Sequence, residues 1–230
     1  SITSTVQANT DAGFSIVTYS GNTDASATIG HGLGVVPKMI MVKKRDEAGN
    51  WIVFTETTGA TNKLNLNATT AVAVSALFND TAPTSTVFSV KDTSSDDTFG
   101  DGHTYVAYCF ADVEGYSKFG SYTGSSGAVG NGTFVYLGFK PSFVMLKDIG
   151  GGEWGIFDSA RNTSNVVNKR IGAESGGAEF SGDTNRDMDF LSNGFKLMNA
   201  YPNGLVFDNS ARSYIYMAFA EQPFKYANAR

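Results

Sequence analysis

Hydrophobic and polar residues alternate with a period of two in short runs along this chain, and residues typical of turns separate the runs. In residues 14–19, for example, Phe14, Ile16 and Thr18 alternate with Ser15, Val17 and Tyr19. A period of two is typical of a β-strand, whereas apolar residues at helical spacing do not persist beyond one turn. Strands spaced roughly 8 to 12 residues apart are typical of antiparallel sandwiches. The pattern predicts an all-β fold of jelly-roll-like sandwiches.

The runs predict individual strands and one clear hairpin. Residues 38–44 and 51–56 form two β-rich runs joined by the turn residues 46–50, which is a hairpin pattern. Residues 105–110 and 214–219 are apolar on both faces, so we expect two central strands buried on both sides. Further predicted strands of the first half are residues 14–19, 25–29, 64–66, 71–77 and 86–90.

The order of these runs occurs twice. The string Thr18-Tyr19-Ser20-Gly21 returns as Ser121-Tyr122-Thr123-Gly124. The offset between copies is 103 residues at these tyrosines and 109 residues at the closing strands, which places the insertions in loops. We therefore expect an N-terminal arm or junction at residues 1–13, a first sandwich at residues 14–118 and a second at residues 119–230. Because no flexible linker separates them, the two sandwiches are predicted to pack together.

Composition narrows the classes of partner. The 230 residues carry a net charge of −5 with only 17 Lys and Arg, whereas a nucleic-acid surface needs concentrated basic residues. No apolar run reaches the length of a membrane span. Cys109 is the only cysteine and lies in an apolar run, which predicts a buried side chain and no disulfide. We expect neither nucleic acid nor membrane as a partner. The chain begins at Ser1 without an initiator methionine, which suggests processing or a longer parent protein.

Catalytic patterns are weak. The residues that recur in both copies are mainly aromatic, aliphatic, Gly and Pro, so the repeat duplicates a scaffold without a visible active site. His31 and His103 are too few for a multi-histidine metal site, and neither recurs. A Gly-x-Ser-x-Gly elbow is also absent from the sequence. We expect a protein that is not an enzyme and holds no cofactor.

One acidic segment resembles the start of a calcium loop. Asp183, Asn185 and Asp187 fall at alternate positions, as the first oxygen ligands of such a loop do. Met188 and Gly194 then stand where the loop needs Gly and Glu. We expect a solvated acidic loop, with these three residues as weak metal candidates.

Two tryptophans and one polar loop offer candidate contacts with a sugar. Trp51 and Trp154 occupy equivalent positions in the two copies, which is typical of core residues, although an exposed indole could stack on a sugar ring. Tyr201 and Asn203 stand in a polar loop sequence and are the better candidates for binding carbohydrate. These four residues are the candidate binding residues, and for the two tryptophans a core role is the preferred interpretation.

Long strings of the chain, at residues 12–19, 30–40, 105–124 and 214–226, resemble a domain family of unknown function. That family occurs in tail-fibre-like and other virion structural proteins of marine tailed bacteriophages. The resemblance spans nearly the whole sequence, including the first nine residues. It implies a component of the exterior of a virion, and it brings no catalytic residues because none are established for the family.

The resemblance and the residues together predict a tail-fibre or receptor-binding component that contacts a host surface glycan. We expect such a protein to self-associate as a homo-oligomer, as a trimer, and to contact other virion proteins. One alternative is a structural head-decoration or head-fibre protein on the capsid. Another is a polysaccharide depolymerase, which would need two carboxylates about 5 to 10 Å apart. Residues 92–101 and 183–189 are the acidic segments that could supply them.

Overall fold

The computed structural model describes residues 1–93, 97–125, 131–182, 187–198, 207–210 and 212–221. Within these ranges every regular element is a β-strand, which confirms the all-β fold predicted from the alternation. The strands are β1 (Ser4–Asn9), β2 (Phe14–Ser20), β3 (Ser26–Gly30), β4 (Met39–Lys44), β5 (Trp51–Thr55), β6 (Asn62–Asn65), β7 (Ala73–Val74), β8 (Val87–Lys91), β9 (Thr104–Phe110), β10 (Ser117–Thr123), β11 (Phe134–Tyr136), β12 (Pro141–Asp148), β13 (Trp154–Asp158), β14 (Ile171–Gly172), β15 (Met188–Leu191), β16 (Gly194–Leu197) and β17 (Ser213–Ala220).

The chain divides into two compact units. Unit 1 comprises Ser1–Asn67 and Val72–Asp112, and unit 2 comprises Ala68–Ala71 and Val113–Arg230. Unit 1 contains a seven-stranded sheet of order β1-β2-β9-β4-β5-β6-β7 and a two-stranded sheet, β3-β8. Side chains from both sheets share one buried apolar cluster, including Val17 and Tyr105 from the large sheet and Ile29 and Phe88 from the small one. Unit 1 is therefore a β-sandwich.

Unit 2 is built in the same way. Its five-stranded sheet has the order β10-β17-β12-β13-β14, and its three-stranded sheet has the order β11-β16-β15. Val144 and Tyr214 of the large sheet share a buried cluster with Val135 and Phe195 of the small one. All pairings between these strands are antiparallel.

The two units share strand order and register. The four strands β2-β9-β4-β5 correspond to β10-β17-β12-β13. Tyr19 lies opposite Tyr105 in unit 1, and Tyr122 lies opposite Tyr214 in unit 2, at the offsets expected from the sequence. Both closing strands, β9 and β17, have neighbours on each side. Burial on both faces holds for β17, whereas in β9 alternate residues remain half-buried.

The segment predicted as an N-terminal arm contributes a strand. β1 pairs with β2 along its whole length, at the edge of the large sheet of unit 1. Five of its six side chains are exposed, so the strand carries no alternation of apolar and polar residues. β1 is held in the sheet by backbone hydrogen bonds to β2, and backbone hydrogen bonds produce no hydrophobic pattern in the sequence.

The repeated tyrosine of the Tyr-Ser/Thr-Gly motif ties a loop to each large sheet. Tyr19 Oη donates to Thr98 O at 2.7 Å, and Tyr122 Oη donates to Phe207 O at 2.7 Å. Each ring also stacks on the tyrosine opposite it, with centroids 5.2 and 5.1 Å apart. Burial raises the pKa of both hydroxyls well above the ordinary value. Both therefore remain protonated donors, and the motif recurs because each unit fastens the same loop.

The glycine of the motif lets that loop approach the sheet closely. A Cβ added at Gly21 would lie 1.8 Å from Gly100 O, and one added at Gly124 would lie 2.3 Å from Asn209 O. The N–H groups of both glycines donate to backbone carbonyls at 2.9 and 3.1 Å. Any larger residue would therefore push two backbone segments apart.

A buried carboxylate joins three parts of unit 2. Asp208 is 1% exposed and accepts four hydrogen bonds. Ser125 donates to it through N at 2.8 Å and Oγ at 3.1 Å, and Thr133 through N at 3.0 Å and Oγ1 at 2.5 Å. Four donors compensate the cost of removing one negative charge from water.

Candidate functional site

The two equivalent tryptophans have different environments. Trp154 on β13 is 1% exposed, so its ring cannot stack on a ligand from solvent. Lys147 lies 5.6 Å from the Trp154 ring centroid and donates to Gly152 O at 2.5 Å. Burial lowers the pKa of Lys147, an effect that Glu174 and Asp148 partly oppose. Trp154 is therefore buried and leaves the set of candidate sugar contacts.

Trp51 on β5 is half-buried and packs in a row of rings. Its centroid lies 6.0 Å from that of Tyr108, with an interplanar angle of 24°. Tyr108 in turn stacks on Phe14 at 6.4 Å and 7°. These rings lie on the face of the large sheet opposite the core of unit 1. Trp51 is thus more accessible than Trp154, but it is held by its neighbours rather than standing as a free platform.

Four other predicted residues lie outside the described part of the chain: Tyr201, Asn203, Asp183 and Asn185. The structure therefore does not place the loop that the sequence favours for carbohydrate. Of the three metal candidates it places only Asp187, which precedes β15.

The described residues contain a different aromatic surface on β11. Phe134 is 43% exposed and Tyr136 is 60% exposed, whereas Val135 between them is 6% exposed and belongs to the core. Alternate residues of a strand share one face, so both rings point away from the core at Cβ positions about 7 Å apart. β11 is also an edge strand of its sheet. We call Phe134 and Tyr136 the aromatic pair.

Two lysines flank the aromatic pair. Lys118 Nζ lies 5.3 Å from the centroid of the Tyr136 ring and donates to Tyr136 O at 2.9 Å. Lys196 on β16 lies directly opposite Phe134 in the sheet register. The surface therefore combines two exposed rings, a phenolic hydroxyl and two cations. A ligand with apolar faces and polar edges could contact all of them.

Sequence reasoning missed the aromatic pair. The string Phe134-Val135-Tyr136 reads as a short apolar run, and such a run does not distinguish a strand buried on both faces from an exposed one. The available signal is that the first unit has no aromatic residues in its corresponding strand, β3. Aromatic residues confined to one copy of a repeat are candidates for function rather than scaffold.

Two side chains of types that often act in catalysis, those of His31 and Cys109, are buried in unit 1. His31 is fully buried, its Nδ1 accepts from Leu33 N at 3.3 Å, and its Nε2 lies 3.1 Å from Thr84 O. Burial lowers its pKa, so the neutral ring with the proton on Nε2 fits both contacts. Cys109 is buried as predicted, and burial raises its pKa to about 12. Neither side chain is placed to act as a nucleophile or base.

The acidic segments do not converge within the described residues. No group of three or more His, Cys, Asp or Glu side chains there could hold a metal ion. Asp97 is buried and accepts from Asn50 N at 3.4 Å, with Lys63 Nζ 3.9 Å away, whereas Asp92 and Asp101 are exposed. Asp187 and Asp189 form a close like-charge pair. Burial raises the pKa of Asp187 first, and the charge of Asp189 raises it further.

This pair gives a pH-dependent prediction. The pKa of Asp187 is raised in the folded state, so ionisation of the carboxyl as pH rises through that value destabilises the fold. Asp187→Asn should therefore stabilise the protein by about 0.5 kcal/mol at pH 7, a modest value because the group is partly exposed. The gain should shrink as pH falls, and it should vanish below the ordinary aspartate pKa of about 3.9, where the carboxyl is protonated in both the folded and the unfolded state. Urea unfolding at pH 3 and pH 7 measures both values, and a gain independent of pH would contradict this explanation.

Comparisons with known proteins identify one family. Within the described residues, no helix is long and apolar enough to cross a membrane. No curated protein and no solved structure matches the chain. A family model described as a domain of unknown function, DUF7483, matches residues 1–223. Because this match covers nearly the whole sequence, the chain belongs to the DUF7483 domain family.

Proposed function

We propose that this protein is a non-enzymatic component of the exterior of a tailed bacteriophage particle, which binds a host surface glycan. The observation that carries the proposal is the aromatic pair. Two adjacent exposed rings form a contiguous apolar surface, and such surfaces mark binding sites more often than isolated exposed side chains do. Rings that project side by side from one strand suit a ligand that lies along the strand.

A glycan fits this surface better than an apolar partner does. The C–H faces of sugar rings can stack on Phe134 and Tyr136, while sugar hydroxyls can exchange hydrogen bonds with Tyr136 Oη and accept from the nearby lysines. An apolar partner would remove the Tyr136 hydroxyl and the two ammonium groups from water without offering hydrogen bonds in return, which costs free energy. The side chains of His31 and Cys109 are buried inside unit 1, which also agrees with binding rather than catalysis.

The first test is binding by the purified protein to glycans extracted from host cells. Phe134→Ala and Tyr136→Ala should each weaken binding, and the double variant should weaken it at least about tenfold, since each ring contributes on the order of 1 kcal/mol. Ile171→Ala is the matched control, because Ile171 belongs to the same unit and is 40% exposed. Glycan binding that survives the double substitution would exclude the aromatic pair as the binding surface.

A second test separates tail from capsid. A receptor-binding component assembled as a trimer should occur in a small multiple of three copies per particle, at the tail. A head-decoration or head-fibre protein should occur in many symmetry-related copies on the capsid. Cryo-electron microscopy of the particle counts the copies directly. Hundreds of copies on the head would overturn the proposed role in receptor binding.

A further inference from the structure

Unit 1 carries a polar groove on the face of its large sheet opposite the core. The groove has a volume of about 410 Å³ and lies where β1, β2, β9 and the end of β4 meet. Its polar lining includes Thr3, Thr5, Thr18, Ser20, Thr104 and Arg45. We call it the hydroxyl groove.

The sheet register arranges the hydroxyls in rows. Thr5 lies opposite Thr18 across β1 and β2, and Ser20 lies opposite Thr104 across β2 and β9. Alternate residues of a strand share a face, so Thr18 and Ser20 project into the groove together. The intervening Tyr19 points into the core. The rows follow from the same alternation that builds the sandwich.

Several of these polar groups are available to a ligand. Within the described residues, the side chains of Thr5, Thr18 and Ser20 make no hydrogen bond, and Arg45 makes no side-chain hydrogen bond or ion pair. Arg45 is also exposed. The acidic neighbour Asp46 is held by Thr104, which lines the groove, and by His103: it accepts from Thr104 N at 2.9 Å and lies 3.5 Å from His103 Nδ1.

Unit 2 shows that the fold does not require this arginine. Arg45 N donates to Thr104 O at 2.8 Å, and Ile149 N donates to Ser213 O at 3.1 Å at the corresponding place in unit 2. An isoleucine therefore occupies the position that the arginine has in unit 1. Within the residues that the structure describes, the large sheet of unit 2 also begins at β10 and has no counterpart of β1. The charge and one wall of the groove are additions to the shared scaffold.

We propose that the hydroxyl groove binds an acidic saccharide, with Arg45 pairing with its carboxylate or sulfate group. A guanidinium presents paired donors that match either anion, and a rim of hydroxyls matches a ligand that both donates and accepts hydrogen bonds. This is a second site, separate from the aromatic pair. A test of the hydroxyl groove is independent of a test of the aromatic pair, because the two sites are probed with different ligands and different substitutions.

Calorimetric titration of the whole chain tests the site with defined probes. A tetrasaccharide of galacturonic acid should bind, and neutral maltotetraose should bind at least about tenfold more weakly, because it cannot pair with the guanidinium. A sulfated tetrasaccharide serves as a third probe, and Arg45-dependent binding of either acidic probe supports the proposal. Neutral and acidic tetrasaccharides that bind equally would overturn it.

Variants locate the binding. Arg45→Gln should reduce affinity for the acidic probe at least about tenfold, while the melting temperature shifts by less than about 2 °C because the side chain makes no ion pair. Thr18→Val, which keeps the shape and removes a hydroxyl, should weaken binding to a smaller extent. Lys91→Gln makes the same change of charge on β8 and should bind like wild type. An equal loss in Lys91→Gln, or full binding by Arg45→Gln, would refute the site.

Discussion

Replacing Asp208 with alanine should lower the free energy of unfolding of unit 2 by about 4 kcal/mol. The substitution removes the acceptor of four hydrogen bonds from Ser125 and Thr133, and hydrogen bonds to a charged group contribute about 1.5 to 3 kcal/mol each before relaxation. Water that enters the space can satisfy some of the released donors, which keeps the loss below the sum. Urea unfolding followed by circular dichroism measures it.

Two control variants distinguish the loss of the hydrogen bonds from the loss of a negative charge. Asp208→Asn keeps one acceptor oxygen and should cost less than the alanine variant. Asp11→Ala removes a carboxylate from an exposed position and should change stability by no more than about 0.5 kcal/mol. A loss below about 1 kcal/mol in Asp208→Ala would show that the four hydrogen bonds do not hold these segments together.

A single added methyl group at Gly21 or Gly124 should be nearly as damaging. At each position the new Cβ would overlap a backbone oxygen, Gly100 O or Asn209 O, which cannot rotate away as a side chain can. Overpacking ordinarily costs about 1 to 3 kcal/mol, and we expect the upper end or more here because two backbone segments must separate. Thermal unfolding of Gly21→Ala and Gly124→Ala measures the loss in each unit.

Alanine substitutions at two other glycines show whether steric overlap causes the loss of stability. Gly176 has no atom near the position of an added Cβ, and Gly30 has only an ordinary contact at 3.5 Å from Ser4 Oγ. Gly176→Ala and Gly30→Ala should therefore lie within about 0.5 kcal/mol of wild type. If Gly124→Ala were equally harmless, the loop would be able to move away from the sheet at little cost.

The features that the sequence predicted well depend on local chemistry. The hairpin of β4 and β5 was predicted because its apolar runs and its turn stand next to each other in the chain. The shared order of β2 and β10, and of β9 and β17, followed from repeated strings that the structure pairs in the same register. In these elements the residues that pack are the residues that carry the pattern.

The features that it missed depend on partners far along the chain. Asp208 stands in a polar stretch, and its donors lie 83 and 75 residues away. Trp51 and Trp154 look equivalent in sequence, yet one is half-buried and the other fully buried. Exposure of the aromatic pair likewise depends on what covers β11, which no local pattern records. The candidate site therefore could not be identified without the structure.

The burial of Cys109 gives the protein an internal reporter of its own opening. This single thiol lies in β9, an interior strand of the large sheet of unit 1, and its pKa of about 12 leaves almost no reactive thiolate at neutral pH. A thiol reagent should modify it only when that sheet opens. The rate of labelling would then measure fluctuations of unit 1 alone, because unit 2 has no cysteine.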